Sequence, residues 1–351
     1  MYRKTYLSID LDNIKSNLQY YSNQTNKEII GVIKANGYGC GDLKIAKLLI
    51  DNGINILAVS SLDEALNLRY KGINCDILIL GIVDINDLDI VIENNFQIIT
   101  PSLQWIKSLK NDYHNQLNIH IKYDISMQRL GLTDTKQLEE GLQLLITKNI
   151  NVIGFMSHYA NSDETNNPTN TNLQKTFEKA LKQLNYEFKY IHIANSDGAL
   201  NFNDNYTTHV RIGIGLLGYN NNNLKPAVSL HTHVSNIKLV QKNTPISYGG
   251  HYITKDNEYI ATIPIGYADG FIRANENRQV YINGKLYPIV GRICMDQCMI
   301  KVDETVKFND QVEIFGKHIS LNQMAKELNT INYEILTTQS LRIERKYIEN
   351  K

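Results

Sequence analysis

Cysteine is scarce in this chain, four in 351 residues (Cys40, Cys75, Cys294 and Cys298), which is too few for a disulfide framework and points to a reducing compartment. Cys294 and Cys298 stand four apart with no second cysteine pair near them, so they lack the pattern of a zinc site, and no metal is expected. Net charge is absent too. Lys+Arg and Asp+Glu number 36 each, so no basic field exists to attract nucleic acid or anionic lipid, and a small neutral or zwitterionic ligand fits better. No apolar run is long enough to span a bilayer, and the opening MYRKTYLSID has no apolar signal core. A cytoplasmic protein that binds neither nucleic acid nor membrane is expected.

What is present is length and rhythm. A chain of this size exceeds the usual single core, so two domains, or one large barrel with an appendage, are expected. Apolar strand-like runs recur at 29–34, 56–60, 76–80, 96–99, 118–123, 152–157, 190–194 and 208–212. Most are separated by segments of helical period, among them 41–52, 62–71, 102–111, 135–149 and 170–184. The last spacer is short and only weakly helical. Eight βα units predict a TIM-type (β/α)8 barrel. From about residue 231 the texture changes to short β-rich pieces, HTHVSNIKLV, EYIATIPIG, QVYINGKLYPIVG and QVEIFGKHIS, with one helix near 320–329. This predicts a separate, mostly-β domain. Asn220 to Asn223 read as a solvated loop at the junction, and His231 and His233 as structural strand residues.

Catalytic groups in such a barrel sit at the carboxyl ends of strands and in the loops beyond, and the unusual residues of this chain cluster there. VIKANGYGCG, residues 32–41, places Lys34 at the end of an apolar run and follows it with glycines. That is the pattern of a strand delivering an amine to a crevice, a candidate Schiff-base nucleophile; the alternative is an ordinary snorkelling lysine. Lys122 and Asp124 end the fifth strand with Arg129 in its loop, His158 ends the sixth, Asn195 and Ser196 follow the seventh, and Arg211 lies in the eighth. Each alone reads also as a satisfied core or rim polar group, and for His158 alone that reading is favoured. Their coincidence is the signal. The loops after strands seven and eight, frequent phosphate sites in barrels, offer Ser196, Gly213 and Gly215. An amine opposite a phosphate cradle suggests pyridoxal phosphate.

With those residues assembled, the chain resembles the alanine racemase family across nearly its whole length. The motifs are VIKANGYGCG (32–41), IKYDISMQRLG (121–131), IHIANSDGAL (191–200), VRIGIGLLGY (210–219), ISYGGHY (246–252), IPIGYADG (263–270) and GRICMDQCMI (291–300), in family order. The resemblance implies a barrel over residues 12–230 and a β domain over 231–351 joined by an N-terminal strand, residues 1–11. It further implies a homodimer in which each active site takes residues from the partner's β domain. The activity implied is pyridoxal-phosphate-dependent interconversion of L- and D-alanine, supplying D-alanine for peptidoglycan.

By matching position, Lys34 would hold the cofactor and act as base on one face of the substrate, with Tyr248 of the partner subunit on the other. Racemisation needs two groups, because a proton removed from one face of Cα must be returned on the opposite face, and one group cannot reach both in a rigid site. Free phenols and amines ionise at about pH 10, so such groups work near neutrality only when burial or cationic neighbours lower them. His158 and Arg211 are the candidates for tuning Tyr248. Arg211 would face the pyridine nitrogen, which would then accept a hydrogen bond and stay unprotonated, weakening the ring as an electron sink. Tyr38, Ser196 and the backbone of Gly213 and Ile214 would hold the phosphate, with Asn195 and His158 also at the cofactor. Arg129 and the backbone of Met295 of the partner subunit would bind the substrate carboxylate. Lys122 matches a lysine that in some relatives is carbamylated to neutralise and orient that arginine. Tyr267, Arg273, Arg292 and Asp296 match residues of the substrate entrance and shared site, and Cys294 supports them.

Two positions depart from the family pattern. Gly37 and Cys40 stand where relatives often carry alanine and histidine, a harmless variation. In QSLRIER, residues 339–345, Leu341 stands where typical members have a tyrosine that narrows the pocket and helps fix the phosphate. Losing that hydroxyl removes a hydrogen bond worth about 0.5 to 1.5 kcal/mol, and a shorter side chain admits substrates larger than alanine. A serine racemase or one of broader specificity is therefore the alternative. A decarboxylase shares the architecture, but no decarboxylase-specific block is present; a non-catalytic cofactor carrier would need Lys34 but not the residues after 231.

Overall fold

Strand β1 (Tyr6–Asp10) precedes eight strands that close into a parallel barrel in the computed structural model, which describes residues 3–349. The barrel strands are β2 (Glu28–Val32), β3 (Ile56–Val59), β4 (Asp76–Ile79), β5 (Gln97–Ile99), β6 (Asn118–Lys122), β7 (Asn151–Met156), β8 (Tyr190–His192) and β9 (His209–Ile212). Each pairs with the next and β9 returns to β2, Ile30 opposite Arg211. Strands covered on both faces read as near-continuous aliphatic runs; Ile30, Leu57, Leu78, Ile119, Ile121 and Ile212 are fully buried.

The helices between them start where side chains satisfy their first amides. Ser61 accepts from Glu64 N, Ser102 from Trp105 N and Asp134 from Gln137 N. The helix Pro168–Leu184 opens on the Asn167 cap with proline in its first turn and closes at Asn185 in the left-handed region. The segment expected to be helical over 102–111 stops at Lys107, and beyond it the buried Lys148 ammonium donates to the carbonyls of Leu109 and Lys110 (2.7 and 3.1 Å). The helix Leu11–Gln24 was not among the expected segments; its apolar stripe is only Leu11, Ile14, Leu18 and Tyr21 in an otherwise polar stretch.

The chain divides into two compact units, residues 14–225 and residues 1–13 with 226–351. The second carries a nine-stranded sheet in the order Asn236–Val240, Glu258–Ile263, Cys298–Val302, Lys285–Val290, Gln279–Ile282, Gln311–Phe315, Val228–His233, β1, Glu344–Ile348. β1 is interior to this sheet, antiparallel to Val228–His233 with Leu7 opposite Leu230, and parallel to Glu344–Ile348 with Leu7 opposite Arg345. The change to β texture begins at Val228, slightly before the position expected. No helix of the described residues is long and apolar enough to cross a membrane.

Leu7 and Ile9 are wholly buried, so β1 is a core strand of the second unit. Leu7→Ala should destabilise it by about 3 kcal/mol, the usual cost of removing a buried leucine side chain, read as a lowered urea midpoint.

Candidate active site

The chain leaves β2 through a left-handed turn. Ala35, Asn36, Gly37 and Tyr38 have φ of 53, 54, 60 and 54°, a conformation that costs non-glycine residues about 1 to 2 kcal/mol each. Gly37 N bonds to Ile33 O and Gly39 N to Ala35 O, both at 2.8 Å. Glu64 clamps the turn from outside: its two carboxylate oxygens accept from Ala35 N and Ser60 N, each at 2.6 Å. Asn36 Oδ1 accepts from Asp42 N (3.1 Å). The strand therefore ends at Val32, two residues before Lys34, and the expected loop is a wound turn that starts at Lys34 and buries Tyr38. Strain of this kind persists only where surroundings over-determine it, and it clusters at functional sites.

The mouth of the barrel is electropositive although the chain as a whole is neutral. Burial lowers the pKa of the Lys34 amine, and the positive charge of Arg129 lowers it further; Glu64 opposes and Arg211 adds a smaller push in the same direction. Lys122, the last residue of β6, is pulled down to about 8, chiefly by burial, and its Nζ makes no hydrogen bond among the described residues. His158, two residues beyond β7, is held well below the usual histidine range by burial and by the charges of Arg211, Lys122, Arg129 and Lys34. Asp124 is committed elsewhere: its carboxylate accepts from Met127 N (3.1 Å), Gln128 N (3.0 Å) and Arg129 N, shaping the loop that carries Arg129. The exposed Arg129 guanidinium has no partner among the described residues.

Arg211 is the opposite case, buried and fully engaged. Nη1 donates to His192 Nδ1 (2.6 Å), and Nη2 lies near Ser157 O (2.9 Å), His158 Nδ1 (2.9 Å) and Ile193 O (3.0 Å). Burial pulls its pKa down to about 10, which leaves it charged at neutral pH.

Beside these groups lies a small cradle. Ser196 Oγ accepts from Gly213 N (3.1 Å) and Gly215 N (3.3 Å), so its own hydrogen is left to donate. A Cβ at Gly213 would lie 2.1 Å from the Tyr38 hydroxyl, so only glycine lets that phenol approach. Ile214 opens the buried turn Ile214–Leu217 that follows. Asn195 Oδ1 caps the short helix Ser196–Asn201 by accepting from Gly198 N (3.0 Å). The structure thus places Lys34, Lys122, Arg129 and Arg211 where their charges together lower the pKa of His158, and joins Tyr38, Ser196 and Gly213.

In the second unit, Tyr248, Cys294, Met295 and Asp296 line one open pocket of about 760 Å³. Tyr248 is 71% and Met295 53% exposed. Tyr248 follows Ser247, whose φ of 64° and ψ of −177° lie in a region nearly reserved for glycine; the Ser247 hydroxyl donates to Arg292 O at 2.6 Å. Tyr267 N bonds to Cys294 O (3.1 Å) and Ala268 N to Met295 O (3.0 Å), strapping two loops together. Arg342 pairs with Asp296 at 2.6 Å. Tyr267, Arg273, Arg292 and Leu341 do not line this pocket.

A closed parallel barrel with an amine and a guanidinium in the loops beyond its strands and a glycine-lined cradle beside them, followed by a mostly-β unit, has the form of a barrel enzyme. Comparison with known proteins narrows this. Residues 9–221 match the family model described as alanine racemase, N-terminal domain, and residues 227–347 that described as alanine racemase, C-terminal domain. An alanine racemase of Staphylococcus epidermidis is 34% identical over 99% of this chain and 95% of its own. The crystal structure of alanine racemase from Bacillus anthracis with bound L-Ala-P superposes with a TM-score of 0.93 at 36% identity, covering 100% of this chain and 96% of that one. A histidine racemase from Leuconostoc mesenteroides has the same fold, with a TM-score of 0.87 and 25% identity over 99% of both chains. The chain belongs to the alanine racemase family. It is an amino-acid racemase, an isomerase.

Sequence reading missed Glu64, and also Asp76, Gln97, His120 and His192, which fill the barrel interior with polar groups. The signal available was a polar side chain inside each aliphatic strand, in FQII, NIHIK and YIHIA. Glu64→Ala removes both carboxylate bonds that clamp the left-handed turn; it should lower stability by about 2 kcal/mol and loosen Lys34, measured by thermal unfolding and by amide exchange at Ala35.

Proposed function

We propose that this chain interconverts the enantiomers of a small amino acid, L- and D-alanine first among them, with pyridoxal phosphate held at the barrel mouth, and so supplies D-alanine for peptidoglycan in the cytoplasm. The observation that carries this reading is the Lys34 amine, its pKa lowered by burial and by Arg129, at the entry to a strained turn. The residues present suit the cofactor. Lys34 offers an amine, the Ser196 hydroxyl has its hydrogen to donate, Tyr38 stands against Gly213, and the surplus positive charge of the mouth favours anions. Bound there, pyridoxal phosphate would supply an electron-withdrawing ring that stabilises negative charge at the substrate Cα.

Lys34 would hold the cofactor and move a proton on one face of Cα, its lowered pKa making the neutral amine available nearer neutral pH. Tyr248 of the partner subunit would serve the other face, and the exposure of Tyr248 and Met295 beside an open pocket supports such a shared site in a homodimer. Arg211 only donates, so a ring nitrogen facing it would stay an acceptor. Tyr38, Ser196, Gly213 and Ile214 would hold the phosphate, with Asn195 and His158 nearby and His158 and Arg211 tuning Tyr248. Arg129, which lacks a partner, would take the substrate carboxylate with the backbone of Met295 of the partner subunit. Lys122, unpaired and with its pKa near 8, suits carbamylation, which would turn a buried ammonium into an anion for Arg129. Tyr267, Arg273, Arg292, Cys294 and Asp296 would frame the entrance.

Mixing tests the two-base reading. Tyr248→Phe and Lys34→Ala should each nearly abolish racemisation, and hybrid dimers of the two should recover activity, because one of their two sites keeps both groups intact. No recovery despite proven subunit exchange would place both bases on one chain.

A second reading, broader specificity, is favoured by Leu341, which is 74% exposed and has no hydroxyl to offer; the histidine racemase among the structural relatives supports substrate range on this fold. Serine should be racemised at a substantial fraction of the alanine rate, and Leu341→Tyr should shift preference toward alanine by about tenfold to two-hundredfold. Chiral product analysis over an L-amino-acid panel decides, and unchanged relative rates would remove Leu341 from specificity.

A further inference from the structure

The interior of this barrel contains a line of polar side chains where branched aliphatic residues ordinarily pack. Arg211 Nη1 meets His192 Nδ1 at 2.6 Å; His192 Nε2 meets His120 Nδ1 at 2.9 Å; His120 Nε2 meets Gln97 Oε1 at 2.9 Å; and Gln97 Nε2 meets Asp76 Oδ2 at 3.1 Å. The Tyr190 hydroxyl donates to the same Asp76 oxygen at 2.9 Å. The line runs through β9, β8, β6, β5 and β4.

Hydrogen-bond chemistry permits one direction only. A guanidinium donates and never accepts, so His192 Nδ1 is the acceptor and the proton of a neutral His192 sits on Nε2. That N–H must donate to His120 Nδ1, which leaves the His120 proton on Nε2, donating to Gln97 Oε1. The amide nitrogen then donates to Asp76, whose ionised carboxylate only accepts. The reverse sense fails at both ends, since arginine has no lone pair to offer and the carboxylate no proton.

Burial holds both histidines neutral: His120 is pulled down to about 3, with His209 and Arg211 adding to the effect. His192 lies well below its usual range through burial and the charges of Arg211 and Lys122. Neighbours fix the rings. A Cβ at Gly154 would lie 2.2 Å from His120 Nδ1, so β7 yields its side chain to this imidazole, and the Tyr190 ring stacks on His120 with centroids 5.2 Å apart.

We propose that Asp76, Gln97, His120 and His192 form a one-directional relay that positions Arg211 for racemisation, with Gln97 and Asp76 as positioning residues remote from the reacting atoms. The inference rests on the reading that Arg211 faces the cofactor ring. The relay presents a lone pair, never an N–H, to the guanidinium, which favours its charged form and holds Nη1 in one place, while aligned dipoles strengthen each bond in turn. Cutting it at Gln97 leaves the His120 N–H unpaired and lets both rings reorient, so that a donor can face a donor at Arg211.

The test is ¹⁵N NMR of the full-length protein labelled at histidine and loaded with pyridoxal phosphate, with the two resonances assigned through His120→Asn and His192→Asn. Both imidazoles should be neutral Nε2–H tautomers that do not titrate between about pH 5 and 9. Gln97→Leu should shift the His192 resonance and lower kcat about tenfold, with KM for the amino acid within about threefold. A wild-type Nδ1–H tautomer or imidazolium at either position overturns the relay even if Gln97→Leu does not fold, and so does a folded Gln97→Leu with wild-type kcat. The expected tautomers together with an Arg211→Lys variant of unchanged kcat support the relay and overturn instead the reading of Arg211 on which its purpose rests.

Discussion

A guanidinium buried inside a barrel is the constraint to which the rest of the first unit answers. Arg211 is 4% exposed, and removing such a charge from water costs several kcal/mol unless hydrogen bonds replace the lost hydration. Two backbone carbonyls and two imidazoles replace it here. That requirement spreads: the imidazoles must be neutral, Gly154 must lack a side chain, and Gln97 must occupy a place where an aliphatic residue would pack better. The same charge adds to burial in lowering the pKa of Lys34, Lys122 and His158, so a buried cation in the core contributes to the chemistry of the mouth.

Each unit places backbone strain next to a residue that the family pattern marks. In the first, left-handed residues 35–38 follow Lys34; in the second, Ser247 in a glycine-like conformation precedes Tyr248. Both are held by polar contacts from outside the segment, Glu64 in one case and Arg292 O in the other. Pre-paid strain of this kind fixes a side chain in one direction without relying on its own packing, which suits groups that must stay accessible.

Much of this was legible from residues alone. All eight barrel strands lie at the expected places, because strands buried on both faces must be aliphatic and the helices between them must show their own period. Lys34 stood out because a lysine after such a run, followed by glycines, coincides with unusual polar residues at the ends of later strands. The turn it opens was not legible: KANGY contains one glycine, and its left-handed winding is clamped by Glu64, 29 positions from Ala35. His120, Gln97 and His192 were passed over because a single polar residue in a strand looks like a satisfied core group until its partners are known.

The amino-acid sequence by itself determined the succession of strands and helices, the change to β texture, and the family to which the motifs belong, since each depends on local pattern and spacing. Only the tertiary structure decided which polar groups meet, which way the hydrogen bonds through His120 and His192 run, and which amines lose affinity for their protons. Those properties depend on burial and on distances of about 3 Å between residues as far apart in the chain as Asp76 and Tyr190, and barrel closure is what creates both.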